Sequence, residues 1–454
     1  MASGVDFHGK KVLVIGLARS GVAAAGVLLS RGANVSLYDA NTGAGDSEEV
    51  KGLLKTGARL VVGEQDDLDV PGFNLIVISP GVPSDITPLL RADSINIPVV
   101  SELELSYMLA EGVVILAVTG TNGKTTTVSL LDHILTMSGI KHITAGNIGV
   151  PMISLVDSCR SCVAALEVSS FQLERIIDFK PHGAAILNIT SDHLDRHMDI
   201  DIYADMKYRI FMNQDGCDYA VLNFDNEVIC KRNPPEGTNV VYYSTRTREG
   251  VQLFMEDGRI MSNFLYPCSF GLQGFQLVGE FNISNAMAAI ALSQVVGADV
   301  DAIQQSLDNF QPIEHRLEYV ATVSGVRFYN DSKATNPDSS LKALKSFNGN
   351  VSLILGGRDK GMDFDPLCRQ VGYHASFVAL IGESADKIGG LLAKHWPDLK
   401  VRSFDGLDMA TRAAYLECKG DGVVLFSPAC ASFDMFDNYE HRGRTFKKIV
   451  MRDL

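Results

Sequence analysis

The sequence lacks the two features that would attach it to a membrane or to nucleic acid. No apolar run approaches the roughly 18 residues needed to cross a bilayer. The first residues, MASGVDFHGKKVLVIGLARSG, interrupt their apolar stretch with Gly16 and Arg19, unlike a secretory signal. No long Lys/Arg run occurs, and the formal charge of −14 disfavours partners that reward clustered positive charge. We therefore expect a cytoplasmic protein that binds neither nucleic acid nor membrane.

Cysteine is also too sparse to build the fold. Eight cysteines in 454 residues do not make a disulfide framework. The one close pair, Cys159 and Cys162, has no second pair to complete a metal site, and we interpret it as structural or incidental. With 46% hydrophobic and 21% charged residues, the composition is that of a globular protein. The length is about three times that of a typical domain, which predicts three domains.

Apolar, β-branched segments alternate with helical stretches along the chain, which predicts an α/β fold with mainly parallel sheets. The series KKVLVIGL, SGVAAAGVLLSRG and ANVSLYD predicts a Rossmann-like N-terminal domain. A second sheet begins at VVILAVTG and a third at VSLILGG. Between 239 and 266, the segments NVVYYST, VQLFMEDG and RIMSNFL predict a small antiparallel sheet that decorates the central domain. We place the domains at 1–103, 104–312 and 313–454.

The stretch LAVTGTNGKTTTVSLLDHIL has the order strand, glycine loop, helix. Backbone N–H groups of Gly120–Gly123 are placed to bind phosphate, Lys124 to reach the β and γ phosphates, and the Thr125 hydroxyl to ligate Mg²⁺. Val118 stands where the full Walker pattern has its first glycine. The alternative is an ordinary glycine turn that enters a helix.

A second apolar strand, in VAALEVSSFQLE, ends at Glu167, where a phosphate-loop protein places a second carboxylate for Mg²⁺. The alternative is a carboxylate that stabilises a helix start near Ser169 and Ser170. A third strand leads into the polar cluster Asp192–His197, of which His193 is the best candidate to contact metal or substrate. That cluster is equally compatible with a solvated loop.

Lys207 lies in an amphipathic segment with Tyr203, Met206, Ile210 and Phe211. Taken alone, this pattern predicts a lysine on the protein surface. It gives no reason to assign Lys207 a role in chemistry.

The N-terminal GLARSG resembles a dinucleotide fingerprint, but Ala18 stands in place of its middle glycine. Asp39 ends the next strand, at the position of the acid that binds a ribose. The NAD interpretation is weakened and stays open beside another, in which the helix N-terminus binds the diphosphate of a different nucleotide close to Arg19 and Ser20.

Two buried-type strands, LIVISPG and VVLFSPA, end in Ser-Pro followed by a small residue. Ligands of open parallel sheets gather at the carboxyl ends of strands, so Ser79 and Ser427 are candidate contact points. Ser-Pro also simply terminates a strand, and the sequence does not decide between these interpretations.

Read in order, GTNGKTT, LEVSSFQLE, NITSDHLDRH, EHRLE, NDSKATNPDS, GGRDKGMDF and SPACASFDMFDNYEHRG resemble the Mur ligases of bacterial cell-wall synthesis. The resemblance covers essentially the whole chain, and the family's loop, GT-x-GK[ST], accommodates Val118. SPACASFD and GGRDKG favour the member that adds D-glutamate to UDP-N-acetylmuramoyl-L-alanine. The resemblance implies a UDP-sugar domain, a central ATPase and a C-terminal Rossmann-like domain for the amino acid, in a monomer.

The resemblance also implies site residues. ATP would contact Gly120, Thr121, Asn122, Gly123, Lys124, Thr125, Thr126, Asn282, Asn285, Arg316 and Asp331. The UDP substrate would contact Arg19, Ser20, Asp39, Ser79, Pro80, Gly81, Asn147 and His193. D-Glutamate would contact Thr335, Lys360, Ser427 and Phe433. Two Mg²⁺ ions would be held by Thr125, Glu167, His193 and Lys207, the last as a carbamate, which replaces the surface-lysine interpretation. Lys124, His193 and Lys207 would serve catalysis.

The chemistry implied is activation of a carboxylate by ATP to an acyl phosphate, followed by attack of an amine. Two rivals remain at the level of sequence. One is a nucleotide-driven switch protein, which leaves two further α/β domains without a ligand. The other is a sibling ligase that adds L-alanine, a diamino acid or a dipeptide, or one that extends folate with glutamate.

Overall fold

A computed structural model of the chain describes residues 5–63, 68–147, 149–192, 194–418, 420–452 and 454. It has two compact units, one made of Met1–Gln273 with Ser284–Leu307 and the other of Gly274–Ile283 with Asp308–Leu454. Three sheets built mainly of parallel strands confirm the predicted α/β class. Within the described ranges, no helix is both long and apolar enough to span a membrane. The domain boundaries at 103/104 and 312/313 stay predictions.

The first sheet is entirely parallel and has the order β3-β2-β1-β4-β5. Its strands are β1 Lys11–Ile15, β2 Asn34–Asp39, β3 Arg59–Val62, β4 Leu75–Ile78 and β5 Val99–Ser101. Its helices are α1 Arg19–Ser30, α2 Glu48–Lys55, α3 Thr87–Ser94 and α4 Glu102–Leu109. The strand order reverses between β1 and β4, which is where open α/β sheets bind ligands.

The second sheet has nine strands in the order β14-β13-β12-β11-β10-β9-β6-β8-β7. The strands are β6 Val114–Thr119, β7 His142–Gly146, β8 Val163–Glu167, β9 Gly183–Ile186, β10 Tyr219–Asn223, β11 Asn239–Ser244, β12 Leu253–Glu256, β13 Arg259–Ser262 and β14 Cys268–Gly271. The helices are α5 Lys124–Met137, α6 Ser170–Leu173, α7 Leu194–His197, α8 Ile200–Tyr208, α9 Glu227–Cys230, α10 Glu280–Val295 and α11 Val300–Asn309. Cys159 and Cys162 are joined as a disulfide just before β8.

The predicted small antiparallel sheet is wrong in two respects. β12, β13 and β14 are antiparallel, but they extend the central sheet instead of forming one of their own. β11 is parallel to β10, because the chain crosses over through α9 between them. The chain reverses direction between β12 and β13 at Asp257 and Gly258, whose φ values of 49° and 73° suit a tight hairpin turn.

The third sheet has the order β15-β16-β20-β17-β18-β19, with only the β15–β16 pair antiparallel. Its strands are β15 Glu318–Val323, β16 Val326–Asn330, β17 Val351–Gly356, β18 Ala375–Ile381, β19 Lys400–Ser403 and β20 Val423–Phe426. Its helices are α12 Pro337–Lys345, α13 Asp365–His374, α14 Ala385–His395, α15 Leu407–Glu417 and α16 Tyr439–Arg452. β17 and β20 are buried along their whole length, as expected for central parallel strands.

Candidate active site

The glycine loop between β6 and α5 is shaped for phosphate. Gly123 immediately precedes α5 with φ of 91°, a left-handed conformation that glycine adopts without strain. A Cβ atom there would collide with the Asn285 side-chain oxygen, so Asn285 lies directly against the loop. Asn188 fixes the loop from the end of β9 by bonding Asn122 N–H and C=O, both at 2.9 Å. The predicted strand, loop and helix are therefore present, with Asn285 beside them.

Lys124 and its neighbours close the loop into a compact site. The Lys124 Nζ donates to the carbonyls of Gly120 and Thr121, at 2.8 and 2.9 Å. The Thr121 hydroxyl bonds the backbone of Thr190, and Thr126 is buried in the first turn of α5. The ammonium thus lies over a loop that leads into the N-terminus of α5, the arrangement that binds anions.

The Glu167 carboxylate lies beside this helix start. β6 and β8 run in parallel register, with Val118 opposite Glu167. One Glu167 oxygen accepts from the Thr125 hydroxyl at 2.9 Å, and the other accepts from the Asn147 side chain at 3.2 Å. A hydroxyl and a buried carboxylate are hard oxygen ligands, and their convergence fits Mg²⁺.

The alternative role of Glu167, at a helix start, belongs to other residues. Ser169 is the N-cap of α6, and it forms a reciprocal capping box with Gln172. Glu167 lies two residues before that cap and bonds towards Thr125 instead. The carboxylate is therefore directed to the phosphate loop.

Lys207 is buried at the same loop, so the surface-lysine interpretation is wrong. Its side chain is 1% exposed, and its Nζ donates to the Gly120 carbonyl at 3.1 Å. The Nζ also lies 4.3 Å from the centre of the Tyr203 ring. Burial, and secondly the positive charge of Lys124, lower the pKa of Lys207 well below its ordinary value. A lowered pKa favours the uncharged form of the amine, which is the form that reacts as a nucleophile.

The structure describes only part of the polar cluster after β9, and His193 lies outside the described residues. Arg196 pairs with Glu174 and packs on the Phe171 ring, and the buried His197 bonds the Ser170 hydroxyl at 3.1 Å. Arg196 and His197 therefore support the α6–α7 region, and the metal and substrate roles of His193 stay predictions.

The predicted UDP residues converge on one cleft in the first sheet. The cleft has a volume of about 640 Å³ and lies at the carboxyl ends of β1, β2 and β4. Its lining includes six of the eight residues predicted to contact the UDP substrate, Arg19, Ser20, Asp39, Ser79, Pro80 and Gly81. Asn147, predicted to contact the sugar-peptide part, lies beside Glu167, and His193 lies outside the described residues. The cleft coincides with the reversal of strand order, and ligands of such sheets bind there.

Hydrogen bonds of two side chains shape this cleft. Asp39 accepts the backbone N–H groups of Leu17 and Asn41, at 2.7 and 2.9 Å, so it fixes the turn after β1. The Ser79 hydroxyl donates to the Gly16 carbonyl at 2.7 Å. The Ser-Pro turn after β4 thus has a structural bond as well as a place in the cleft.

In the second unit, Asp331 and Ser427 are bonded to each other. The Ser427 hydroxyl donates to Asp331 at 2.7 Å, and the other Asp331 oxygen accepts from Leu317 N–H at 3.0 Å. Burial raises the pKa of Asp331 to about 7 despite these bonds. Ser427 is fully buried, and its contact with D-glutamate stays a prediction.

The remaining predicted residues of this unit differ in exposure. Lys360 is exposed, and it follows Asp359, which accepts two backbone N–H groups of the next turn and the Lys387 ammonium. Thr335 is half-buried and Phe433 is 59% exposed. Asn282, also in this unit, is buried and bonds the Val278 carbonyl.

Arg442 organises the second unit, although no pattern in the sequence predicts a role for it. This arginine is 1% exposed and donates to Ser332, Cys430 and Ala431 at 2.8 to 3.1 Å. It therefore ties the loop after β16 to the loop after β20. A basic residue on the apolar face of α16, just before the buried Gly443 and one turn before the buried Phe446, is the only signal that could have revealed it.

The raised pKa of Asp331 predicts a pH-dependent effect of Asp331→Asn. An acid whose pKa is raised by folding stabilises the fold below its unfolded pKa, and this stabilisation is lost as pH rises through about 7. Asparagine does not titrate, so the variant should not lose this stabilisation. We expect the Tm of the variant minus the Tm of wild type to be larger at pH 8 than at pH 5 by roughly 5 °C or more. Thermal unfolding at both pH values tests this, with the exposed Asp421→Asn as control. An equal difference in Tm at both would contradict it.

Comparison with known proteins decides the family. Residues 10–101 match the Mur ligase MurD-like N-terminal domain, 118–293 the Mur ligase middle domain, and 315–430 the Mur ligase glutamate ligase domain. A UDP-N-acetylmuramoylalanine–D-glutamate ligase of Koribacter versatilis is 41% identical, over 99% of this chain and 98% of the relative. The chain belongs to the Mur ligase family. Mur ligases are enzymes that use ATP and Mg²⁺ to form amide bonds.

Other relatives agree with this membership. A ligase of the same name from Caldanaerobacter subterraneus is 39% identical, over 98% of this chain and 99% of its own length. Among solved structures, MurF from Acinetobacter baumannii has a TM-score of 0.62 at 17% identity, over 91% of this chain and 90% of its own. MurC from Thermotoga maritima has a TM-score of 0.59 at 18% identity, over 98% and 100%. The structural likeness shows the Mur ligase fold.

Proposed function

We propose that this Mur ligase joins D-glutamate to UDP-N-acetylmuramoyl-L-alanine in the synthesis of peptidoglycan precursors, with ATP converted to ADP and phosphate. The observation that carries the proposal is the convergence of Lys124, Thr125, Glu167 and the buried Lys207 on one phosphate loop. The name shared by relatives at about 40% identity over the whole chain supports the choice of substrates. Both substrates are soluble small molecules, and we propose a cytoplasmic monomer.

The site is assigned as follows in this proposal. ATP contacts the loop 120–126, Asn282, Asn285, Arg316 and Asp331. The UDP end of the substrate occupies the cleft lined by Arg19, Ser20, Asp39 and the Ser79–Gly81 turn. D-Glutamate contacts Thr335, Lys360, Ser427 and Phe433. In this proposal the domain 1–103 binds the UDP substrate, the domain 104–312 supplies the phosphate loop for ATP, and the domain 313–454 binds the amino acid and contributes Arg316 and Asp331 to ATP binding.

Two Mg²⁺ ions belong to the proposed site. Thr125 and Glu167 would hold the first, and His193 with a carbamylated Lys207 the second. When bound, they neutralise the phosphate charge that develops during transfer. The lowered pKa of Lys207 supports the carbamate, because only the uncharged amine adds CO₂. That addition forms an N–C bond and releases one proton, and it turns a cation into an anionic oxygen ligand.

The reaction has two steps. The L-alanyl carboxylate attacks the γ-phosphorus while the bond to the β-phosphate oxygen breaks, which yields an acyl phosphate and ADP. Lys124 holds the β and γ phosphates in line for this attack and neutralises charge on them. The uncharged amine of D-glutamate then attacks the acyl carbon, and the tetrahedral intermediate expels phosphate as the nitrogen loses a proton. Lys360 orients D-glutamate by pairing with a carboxylate.

Trapping the acyl phosphate tests the mechanism. The enzyme would be incubated with ATP, Mg²⁺ and UDP-N-acetylmuramoyl-L-alanine without D-glutamate, and then treated with borohydride. We expect the alanyl carboxyl to be reduced to an alcohol, detected by mass spectrometry, in amounts close to the enzyme concentration. A nucleotide-driven switch protein would release phosphate without this product, and that result would refute the proposal.

Lys360→Ala is expected to raise the KM for D-glutamate by roughly tenfold or more, because a charge-assisted bond is lost. The KM for ATP should change by less than about twofold. Initial rates with each substrate varied in turn measure both constants. Lys394→Ala, an exposed lysine of the same unit, is the control. An unchanged KM for D-glutamate would remove Lys360 from the pocket.

A further inference from the structure

The backbone around Arg316 has an unusual conformation. His315 and Leu317, on either side of it, have φ values of 66° and 45°. Residues with a Cβ atom rarely adopt this left-handed region, and it persists only where surrounding contacts enforce it. The turn 315–317 therefore depends on its neighbours to present Arg316 between two strained residues.

Two carboxylates hold the backbone of this turn from opposite sides. Asp331 accepts Leu317 N–H, and Glu318 accepts His315 N–H, both at 3.0 Å. The buried His315 ring packs against the backbone of α16, where a Cβ atom on Gly443 would collide with it. His315 and Leu317 can keep their left-handed conformations because the backbone on each side of Arg316 has its own hydrogen bond to a carboxylate.

Asn330 links the ring to one of these carboxylates. Its side-chain nitrogen donates to His315 Nδ1 at 2.9 Å and to the same Glu318 oxygen at 3.0 Å. An amide nitrogen only donates, so His315 Nδ1 must accept and the imidazole is neutral. Burial lowers the pKa of His315, in agreement with this state. The placement of Glu318 therefore controls both the backbone and the ring of His315.

Lys447 fixes Glu318 in turn. From α16, its ammonium bonds the second Glu318 oxygen at 2.5 Å and Glu314 at 3.0 Å. Glu314, His315 and Glu318 are spaced like metal ligands, and Lys447 supplies a cation to both carboxylates of that group. The Lys447 and Glu318 side chains are only 24% and 15% exposed, so solvent screens this pair less than a surface pair.

We propose that Lys447 is a positioning residue for Arg316: its bond to Glu318 holds the strained turn that presents Arg316 and thereby sets the affinity for ATP. The inference rests on the proposed contact of Arg316 with ATP. It adds a residue of α16, distant in sequence from every proposed nucleotide ligand, to the determinants of nucleotide binding. Lys447 itself touches neither substrate nor reacting atoms.

Steady-state kinetics of Lys447→Met test the inference. The KM for ATP is expected to rise about five- to tenfold, while kcat and the KM for D-glutamate stay within about twofold. Glu318→Gln should have the same effect, and Lys447→Arg, which keeps the charge, should recover most of the affinity. Lys448→Met, an exposed neighbour on the same helix, is the matched control and should behave as wild type. Thermal unfolding of each variant establishes that it is folded.

Combination with Arg316→Ala separates positioning from general damage. If Lys447 acts through Arg316, then Lys447→Met should not raise the KM for ATP further in the Arg316→Ala background. Two results would overturn the inference but leave the ATP contact of Arg316 intact. One is that the two effects on the KM for ATP multiply in the double variant, and the other is that Lys447→Met has a normal KM for ATP while Arg316→Ala has a raised one. A normal KM for ATP in Arg316→Ala would overturn the ATP contact of Arg316, and the inference with it.

Discussion

Replacement of Lys124 by alanine is expected to lower kcat by about three orders of magnitude or more at saturating substrates. The ammonium lies over the phosphate loop, 2.8 and 2.9 Å from two of its carbonyls, where it is placed to neutralise charge on the transferred phosphoryl group. Loss of one cation at such a position costs roughly 10³ or more in phosphoryl transfer. Initial rates of phosphate release measure the effect.

The control for this variant is Lys231→Ala, an exposed lysine of the same unit, which should retain full activity. Lys124 donates to two carbonyls of the loop, so the fold should survive its removal, and thermal unfolding would check this. Retention of more than about a tenth of the activity in a folded Lys124→Ala would mean that the loop is not the site of phosphoryl transfer.

The second large effect is expected for Lys207. Lys207→Ala should lower kcat by about a hundredfold or more, because the proposed carbamate supplies a metal ligand that alanine cannot. Short carboxylates such as acetate or propionate should restore part of the activity by entering the space that the side chain leaves. Initial rates with and without added carboxylate measure the rescue.

Two further variants make the Lys207 result specific. Lys207→Met fills the same buried space without a charge or a ligand, so it should be folded, inactive and insensitive to carboxylates. Lys124→Ala should also show no rescue, since its missing group is a cation. Normal activity of Lys207→Met would refute the carbamate, and equal rescue of all three variants would show that carboxylates act elsewhere.

Local sequence patterns were sufficient where a single turn determines the structure. The loop 120–126 was predictable, because the order of strand, glycines and helix fixes how Lys124 and Thr125 are presented. Glu167 was predictable because parallel strands bring their carboxyl ends to one edge, and β8 ends beside β6. The cleft at 16–20, 39 and 79–81 follows from the same rule in the first sheet.

Lys207 shows where pattern reasoning fails. In α8 it lies one turn after Tyr203, on the same buried face, and the periodicity itself placed it there. The expectation that a lysine seeks solvent outweighed that spacing and gave the wrong result. A charged residue on the apolar face of a helix is better treated as a functional candidate.

Local sequence patterns did not predict contacts between distant parts of the chain. Asn188 and Arg442 act by bonding loops that are far away in the chain, and nothing in their local patterns encodes the partner. The parallel pairing of β11 also depends on a crossover, not on its own residues. Such features require the folded chain, because short apolar strands have the same composition in either direction.

The most direct test of the proposed activity is phosphate release with ATP, Mg²⁺ and UDP-N-acetylmuramoyl-L-alanine, with single amino acids added in turn. D-Glutamate is predicted to stimulate release strongly and to yield a product heavier by one glutamyl residue. L-Glutamate, L-alanine and a diamino acid should not stimulate it. Stimulation by one of these and none by D-glutamate would contradict the account.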